Sequence, residues 1–329
     1  MTHFLPRVFI TGVSGLLGSH IAVEFRKLGY EVVGVKQKNT PTPNVIKDIQ
    51  VFEGDILDFY WLYDILQQGD LVIHCAALVS FDRKDREYLY QLNVEGTKNV
   101  LQASIENRVL KFIHISSVAA LGRPIDGQLI SESSLWEESD FNTHYAISKF
   151  QSELEVWRAF EEGLSGFILN PSVILGRGNL HNTSNRLFSN LFRKTIFMVD
   201  GGINVVDVHD VVKALKICLE KELNSERFLI NGHKVSIGEL MSAISKRSKF
   251  TSKVIEIPLW LAMCVRPIEN FVAFMIGKKP QINRETLKVL KSESSYNNQK
   301  SKIVLGLKYR KLEETMDECC HYYVENYSV

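Results

Sequence analysis

Short runs of apolar and β-branched residues recur along the chain, and helical patterns separate most of them. Runs of this length are typical of strands that are buried on both faces of a sheet. The seven runs are Val8–Ile10, Glu31–Val35, Gln50–Phe52, Leu71–His74, Leu110–Ile115, Gly166–Leu169 and Arg227–Ile230. The clearest helical patterns are Leu16–Leu28, Glu87–Asn107 and Tyr145–Glu162. Because a parallel sheet needs a crossover between consecutive strands, this alternation predicts an α/β fold with a doubly wound parallel sheet of about seven strands.

The first strand runs into three glycines, in the stretch TGVSGLLG, before a helical pattern begins. Gly12 can form the tight turn, Gly15 removes a side chain where a pyrophosphate would approach, and Gly18 lets helix and strand pack closely. The helix N-terminus then offers free N–H groups and its positive dipole end to phosphates. The other residues expected at this cofactor loop are Thr11, Ser14, Leu16 and Leu17. Loop glycines can serve turns alone, but this position between strand and helix favours a dinucleotide site.

Two further segments bear on the nucleotide. The stretch EGDILD places Asp55 and Ile56 just beyond the third strand, where a carboxylate can accept a hydrogen bond from an adenine amino group. At the end of the second strand, Lys36, Gln37 and Lys38 stand where an NAD site usually has an acid for the ribose hydroxyls. Because cations suit a 2′-phosphate, the sequence favours NADP(H), with NAD(H) as the alternative.

The chain is long enough for two structural units, since it has 329 residues and a single domain usually holds fewer. Residues 176–202 show no regular pattern before sheet character returns. We therefore expect a Rossmann-type dinucleotide-binding domain of residues 1–175 with a returning segment of about 204–232. A smaller, mostly helical substrate lobe would comprise about 176–203 and 233–329.

A second group of polar residues follows the fifth strand. HISSVAALG contains Ser117, and YAISK then places Tyr145 and Lys149 four residues apart on one helix face. A tyrosine with a pKa of about 10 transfers protons poorly at neutral pH, but a nearby ammonium favours its phenolate. Lys149 can also hold a nicotinamide ribose, while Ser117 donates a hydrogen bond to a substrate oxygen. The three residues together predict proton transfer at a C–O bond.

These motifs resemble those of the extended short-chain dehydrogenase/reductase superfamily, also called the NAD-dependent epimerase/dehydratase family. TGVSGLLG, GDILD, HCAA, NVEGTKNVLQA, HISSVAALG, YAISK and DVHDVVKAL occur in the family's order and span nearly the whole chain. The resemblance implies an NAD(P)-dependent oxidoreductase that acts on CH–OH or C=O groups. It assigns Tyr145 as the acid–base residue, Lys149 as its partner and Ser117, rather than Ser116, as the catalytic serine.

The resemblance also implies residues along the two ligands. Ala76 and Ala77 of HCAA would run along the cofactor, Asn93 of NVEGT would brace the site, and Pro171 would begin a loop over the nicotinamide. By the same resemblance, Cys75, Ile115 and Val173 line the cofactor, and Leu78 and Ser80 line the substrate together with Ser117 and Tyr145.

Departures from the family pattern bear on the substrate. Sugar-nucleotide members usually have Arg-Pro where this chain has Asn170-Pro171, and an arginine where it has Ile203. The apolar segment Pro258–Ile276 and the residues after it resemble dihydroflavonol-reductase-like and hydroxysteroid-dehydrogenase-like members, and apolar walls favour an apolar ligand. We therefore expect reduction of a small or moderately apolar carbonyl compound, or oxidation of the corresponding alcohol. The alternatives are a sugar-nucleotide epimerase or dehydratase with tightly bound NAD, and a non-catalytic dinucleotide-binding regulatory protein.

Composition limits the partners and the compartment. Lysine and arginine total 39 against 38 acidic residues, so no overall field attracts nucleic acid. The five cysteines lack metal-ligand spacing, and the N-terminal sequence lacks a signal-peptide pattern; we expect reduced thiols, no metal and a cytoplasmic protein.

Two segments suggest further contacts. The apolar segment Pro258–Ile276 contains Arg266, Pro267 and Glu269, which leave its apolar runs too short for a membrane span, although an interfacial contact is possible. The helical patterns Glu87–Asn107 and Tyr145–Glu162 predict a homodimer through paired helices, unless the sheet uses their apolar faces fully.

Overall fold

A computed structural model describes residues 5–123, 129–180, 184–199, 201–247, 253–258, 261 and 294–327. Its strands are β1 Val8–Thr11, β2 Val32–Lys36, β3 Gln50–Glu53, β4 Leu71–His74, β5 Lys111–Ile115, β6 Leu129–Ile130, β7 Gly166–Pro171, β8 Val173–Leu175, β9 Thr195–Val199, β10 Gly202–Asp207, β11 Glu226–Ile230, β12 His233–Ser236, β13 Lys253–Ile257 and β14 Ser295–Tyr296. Seven of them form one parallel sheet in the order β11-β7-β5-β4-β1-β2-β3. These seven are the predicted strands, so the doubly wound fold is confirmed.

Helices cover both faces of this sheet. The α-helices of the described residues are α1 Leu16–Lys27, α2 Phe59–Ile65, α3 Arg86–Tyr90, α4 Gly96–Glu106, α5 His144–Glu161, α6 Val208–Glu220, α7 Ile237–Arg247, α8 Gln299–Val304 and α9 Leu312–Tyr327; of these, α7 and α9 pack in a separate core. Successive strand residues point to opposite faces. In β1, Ile10 packs into the core with α1 and α6, and Phe9 packs into the core with α2, α4 and α5. The parallel strands therefore read as continuous apolar runs because both of their faces are buried.

The predicted long helix Glu87–Asn107 is interrupted in the structure. A π-helical turn, Gln91–Glu95, separates α3 from α4. Asn93 lies in this turn and is 1% exposed. An inserted π turn changes the direction of the side chains that follow it, and such turns occur frequently at functional sites. Periodicity alone misses the insertion because buried apolar residues continue on both sides of it, at Leu89 and at Val100.

Residues 176–202, predicted to be irregular, contain regular structure. The 3₁₀ helix Asn185–Phe192 and β9 lie in this segment, and β9 pairs in parallel with β13. A separate core joins this region to α7 and α9, with Phe188 stacked on Tyr323. The prediction fails here because β9 finds its partner more than 50 residues away, beyond the reach of a local pattern.

Within the described residues, no helix combines the length and the apolar composition that crossing a lipid bilayer requires. The apolar segment Pro258–Ile276 lies outside the described residues except for Pro258 and Leu261. The described part of the chain also contains no cluster of three or more His, Cys, Asp or Glu side chains arranged to hold a metal ion.

Candidate active site

The site lies where the carboxyl ends of the central strands meet, which is where doubly wound sheets bind their ligands. Gly12 follows β1 with a φ of +71°, a left-handed conformation that favours glycine. A Cβ on Gly12 would stand 2.8 Å from the backbone of Ala76, and a Cβ on Gly18 would stand 2.4 Å from the carbonyl oxygen of Gly12. Both glycines therefore allow α1 and the loop after β4 to approach the turn closely.

The N-terminus of α1 offers an anion cradle. Gly15 is the N-cap residue and makes no side-chain cap, so the first N–H groups of the helix, from Leu16 onward, have no side-chain acceptor. The Gly15 N–H instead closes the turn on the Gly12 carbonyl at 3.0 Å. Free N–H groups at the positive end of a helix dipole can bind a pyrophosphate. Thr11 to Gly18 are thus suited to hold a dinucleotide.

A buried hydrogen-bond chain connects this loop to the π turn. The Thr97 hydroxyl donates to the Asn93 carbonyl oxygen at 2.6 Å, so it accepts from Nε2 of His74 at 3.0 Å. Nδ1 of His74 then accepts from the Thr11 hydroxyl at 2.7 Å, and Thr11 in turn accepts from the N–H of Ala76. This assignment makes His74 neutral. Burial lowers the pKa of His74 to about 3, which agrees with that assignment.

Asn93 uses every polar atom of its side chain. Its Oδ1 accepts from the Leu78 N–H at 2.7 Å, and its Nδ2 donates to the Leu78 carbonyl oxygen and to the Ser148 hydroxyl, each at 3.0 Å. Ser148 donates in turn to the carbonyl oxygen of Tyr145. The amide therefore joins the loop after β4 to the helix that carries Tyr145 and Lys149.

Ser117 lies close enough to Tyr145 to lower the pKa of the phenol as a hydrogen-bonding group. Ser117 is the N-cap residue of the 3₁₀ turn Val118–Leu121 after β5, and Tyr145 lies in the first turn of α5. Burial raises the pKa of Tyr145, and the bond to Ser117 opposes that rise only in part. The lowering expected from Lys149 does not contribute in this structure, where Ser117 alone opposes the loss of solvation. Tyr145 is a phenol at neutral pH, which is the form that donates a proton.

Lys149 lies deeper, at 2% exposure. Its Nζ donates to the Ile115 carbonyl oxygen at 3.1 Å and lies 3.5 Å from Nε2 of His114. Burial lowers the pKa of Lys149 to about 8, while Glu153 and Cys75 act in the opposite direction. Nδ1 of His114 meets no partner in the described part of the chain. Lys149 is thus held by β5 and by His114, the first residue of HISSVAALG, to which the sequence assigned no role.

A buried acid extends the same face of α5. Glu153, four residues after Lys149, is 1% exposed and accepts from Asn170. The Asn170 amide also donates to the Ser117 carbonyl oxygen at 3.0 Å, and Arg227 on β11 pairs with Glu153 at 3.3 Å. Asn170 therefore links the strand end that carries Ser117 to α5. Arg227 supplies from a neighbouring strand the cation that pairs with this buried acid.

At the adenosine end, the lysine expected to meet a 2′-phosphate already has partners within the protein. The Lys36 side chain is 9% exposed, and its ammonium pairs with Glu53 at 2.7 Å and donates to the Thr40 carbonyl oxygen at 2.6 Å. Asp55 is exposed, and its Oδ1 accepts from the Leu57 N–H. Ile56 is buried against Gly96, where a Cβ would approach within 2.6 Å. The close approach of α4 thus holds the loop after β3 in place.

The remaining predicted residues lie around these groups. The Cys75 N–H donates to the Thr11 carbonyl oxygen, and burial raises the pKa of the Cys75 thiol to about 12. Pro171 ends β7 and Val173 begins β8. The Ser80 hydroxyl donates its proton to the Asp85 carboxylate at 2.7 Å, so this hydrogen bond stays within the loop. Ala77 and Leu78 continue that loop after Ala76.

Several residues at the site were missed by sequence reasoning. Phe81 packs edge-to-face on Tyr145 with ring centroids 6.1 Å apart, and it had no motif to reveal it. The residues that support the site from the interior are His74, Thr97, His114, Glu153, Asn170 and Arg227. Of these, Glu153 had a readable signal, because it continues the four-residue spacing of Tyr145 and Lys149.

The fold and this set of side chains define a Rossmann-type protein with a phosphate cradle beside a Tyr-Lys-Ser group. A family model described as the NAD dependent epimerase/dehydratase family matches residues 8–238. The chain belongs to that family, so the resemblance to extended short-chain dehydrogenase/reductases is confirmed. The protein is accordingly an NAD(P)-dependent oxidoreductase of this type.

Individual relatives cover nearly the whole chain. A protein of Synechocystis sp., assigned provisionally as a dihydroflavonol 4-reductase, is 25% identical over 330 residues, which cover 96% of this chain and 94% of that protein. Tetraketide alpha-pyrone reductase 1 of Arabidopsis thaliana is 24% identical over 343 residues, covering 97% and 95%. The solved UDP-glucose 4-epimerase of Thermotoga maritima matches with a TM-score of 0.80 at 20% identity, covering 97% and 99%. At that identity the structural match shows the shared fold.

Proposed function

We propose that the protein is an NADP(H)-dependent reductase of a small or moderately apolar carbonyl compound, or oxidises the corresponding alcohol. One observation carries the proposal: Tyr145 lies beside Ser117 in the first turn of the helix that carries Lys149, and burial keeps it a phenol by raising its pKa. A proton donor and a second hydroxyl therefore face the same point at the sheet edge. That pair suits a carbonyl oxygen on which negative charge develops.

The dinucleotide would lie on the N-terminus of α1, along Ala76 and Ala77, with Lys149 and Pro171 at its nicotinamide end. When bound, it supplies or accepts a hydride at the substrate carbon. Tyr145 donates the proton to the substrate oxygen, and Ser117 orients that oxygen by a hydrogen bond. Lys149 holds the ribose hydroxyls and supplies a positive charge beside the phenol. Asn93 keeps the loop after β4 and α5 at a constant separation while the proton moves.

The substrate class rests on the surroundings of Tyr145. Phe81 places an aromatic edge against the phenol ring. At position 203, where sugar-nucleotide members hold a diphosphate with arginine, Ile203 packs toward the apolar core around β10 and α7. The names of the two curated relatives denote reductases of flavonoid-type and polyketide-type carbonyl compounds. These observations support an uncharged carbonyl substrate.

The proposal is tested by NADPH consumption with a panel of aromatic and aliphatic ketones and aldehydes. Tyr145→Phe removes only the proton donor and should reduce kcat by about 10²-fold or more, with cofactor affinity unchanged. Tyr63 is an exposed tyrosine on α2, so Tyr63→Phe is the matched control and should retain full activity. Turnover by Tyr145→Phe at the wild-type rate would refute the assigned role.

A sugar-nucleotide epimerase or dehydratase is the second candidate, because the Thermotoga maritima epimerase shares this fold. Such an enzyme returns its cofactor to the starting redox state. Purified protein that carries stoichiometric NAD, converts a UDP-sugar and consumes no NADPH with any carbonyl would favour this candidate over the reductase. The absence of both activities in a protein that binds dinucleotide would favour the regulatory alternative.

We also propose the domain division and the assembly expected from the sequence. Residues 1–175 with about 204–232 would bind the dinucleotide, and about 176–203 with 233–329 would form the substrate lobe. A homodimer would pair the outer faces of α4 and α5, where Leu154 is 50% exposed. The molar mass in solution by light scattering tests the dimer, and the cytoplasmic location remains a prediction.

A further inference from the structure

We propose that Glu53, on β3, sets how strongly this protein discriminates NADP(H) from NAD(H), because it neutralises Lys36 at the end of β2. The inference rests on the proposed dinucleotide site and names the determinant of its cofactor specificity. That determinant lies on a different strand from the lysines to which the sequence pointed.

The two residues are neighbours by strand register. Lys36 and Glu53 are directly paired positions of the parallel strands β2 and β3, so their side chains leave the same face of the sheet. Nζ of Lys36 lies 2.7 Å from Oε1 of Glu53. The turn after β2 also brings the Thr40 carbonyl oxygen within 2.6 Å of Nζ. Two of the three ammonium hydrogens are therefore occupied.

The face of the sheet that carries this pair is the face of the glycine loop. Gly34 lies two residues before Lys36 and points to the same side. A Cβ on Gly34 would stand 2.5 Å from the side chain of Val13, so the loop packs directly on that face. The pair thus stands at the carboxyl end of β2, beside the phosphate cradle, where doubly wound folds contact the ribose of a dinucleotide.

The two residues of this ion pair favour different cofactors. A 2′-phosphate carries nearly two negative charges and is attracted by Lys36 but repelled by Glu53. A ribose with a free 2′-hydroxyl can instead donate a hydrogen bond to the Glu53 carboxylate. Glu53 is 52% exposed and can accept such a bond, whereas Lys36 is largely buried. Removing the carboxylate charge should therefore shift the preference toward the 2′-phosphate.

Other polar groups of the same turn have different positions. Gln37 donates to the Tyr88 hydroxyl at 2.8 Å, which links the turn to α3. Lys38 is exposed. If Lys38 alone attracted the 2′-phosphate, neutralising Lys36 would leave the affinity ratio unchanged.

The experiment measures the Kd of 2′,5′-ADP and of 5′-ADP by titration calorimetry, so that binding is read without catalysis. Glu53→Gln keeps the size of the side chain and removes its charge. We expect the ratio of the 5′-ADP Kd to the 2′,5′-ADP Kd to rise by about fivefold, since a partly exposed charge pair contributes up to that factor. Lys36→Gln should lower the same ratio.

Glu31→Gln is the matched control. Glu31 is exposed and precedes β2, so this variant removes an equal charge at the opposite end of the same strand. The control should leave the ratio within about twofold of wild type, and the Glu53→Gln effect should decrease at high salt. Thermal unfolding of each variant confirms that the fold is retained.

The results separate this inference from the proposed function. Wild type that favours 5′-ADP contradicts the NADP(H) preference, yet a rise in the ratio in Glu53→Gln still supports the role of Glu53. A Glu53→Gln ratio that stays within about twofold of wild type overturns the inference whatever the wild-type preference. Wild type that binds neither nucleotide overturns both.

Discussion

Nε2 of His114 lies 3.5 Å from the ammonium nitrogen of Lys149, and both side chains are almost fully buried. His114 also stacks on His74 of the adjacent strand, with ring centroids 5.5 Å apart. Burial lowers the pKa of His74 to about 3 and lowers the pKa of His114 well below its ordinary value. Lys149, the lysine expected to act on the cofactor and on Tyr145, thus lies beside a neutral imidazole, and a second neutral imidazole stacks on the first.

These histidines predict sensitivity to acid. Above pH 6.5 neither the folded nor the unfolded chain protonates them, and they contribute no pH dependence. As the pH falls below 6.5, only the unfolded chain takes up protons, so stability is lost by about 1.4 kcal/mol per pH unit for each histidine. His114→Leu should reduce the slope of unfolding free energy between pH 5.5 and 4.5 by about that amount.

Urea unfolding at several pH values measures this slope. Replacement of the exposed His321 by leucine is the control and should leave it unchanged. A slope in His114→Leu equal to that of wild type would show that His114 is not kept neutral by the fold.

Asn93→Ala should impair both folding and catalysis. The substitution leaves the buried Leu78 backbone and the Ser148 hydroxyl without their partner, which costs about 2–4 kcal/mol of unfolding free energy. Because α5 loses its link to the loop after β4, kcat should fall as well. Asn99→Ala removes hydrogen bonds to Ile56 and Leu57 from the adjoining helix α4 and should lower stability without a matching loss of kcat. Equal kcat losses in the two variants would contradict a specific role for Asn93.

Gly12→Ala separates close packing from backbone strain. Gly12 and Gly69 both have positive φ, +71° and +82°, but a Cβ on Gly69 meets nothing within 4 Å. Gly69→Ala should therefore cost about 1 kcal/mol from strain alone. Gly12→Ala adds the clash with Ala76 and should cost clearly more, with a parallel loss of dinucleotide affinity measured by calorimetry. Similar unfolding free energies for the two variants would mean that the loop after β4 moves away from the added methyl group at little cost.

Asp210→Asn should stabilise the protein at alkaline pH. Burial raises the pKa of Asp210 to about 6, with a further contribution from Asp207 and an opposing one from Arg310. The folded state therefore prefers the protonated acid. Ionisation of Asp210 lowers the free energy of unfolding, and this loss is absent below about pH 4 and complete above pH 6. The variant should unfold with about 1–3 kcal/mol more free energy at pH 8 and no difference at pH 4. Equal stability of both proteins at pH 8 would contradict the raised pKa.

Local patterns predicted the seven strands and their helices because the period of apolar residues reflects burial within a few neighbours. They also located the glycine loop, since few residues other than glycine adopt the left-handed backbone found at Gly12. They missed the π turn around Asn93, whose insertion leaves the surrounding periodicity intact. The apolar pattern of β9 was missed because its partner β13 is distant along the chain.

The sequence by itself determined the doubly wound fold, the phosphate cradle and the spacing of Tyr145 and Lys149, all of which depend on residues close together in the chain. Only the tertiary structure decided which charges these groups meet. Lys36 finds Glu53 because parallel register places the two strands' ends side by side, and Lys149 finds His114 because α5 crosses the end of β5. Burial at these contacts then sets the ionisation of the site, since solvation is lost only when distant segments pack together.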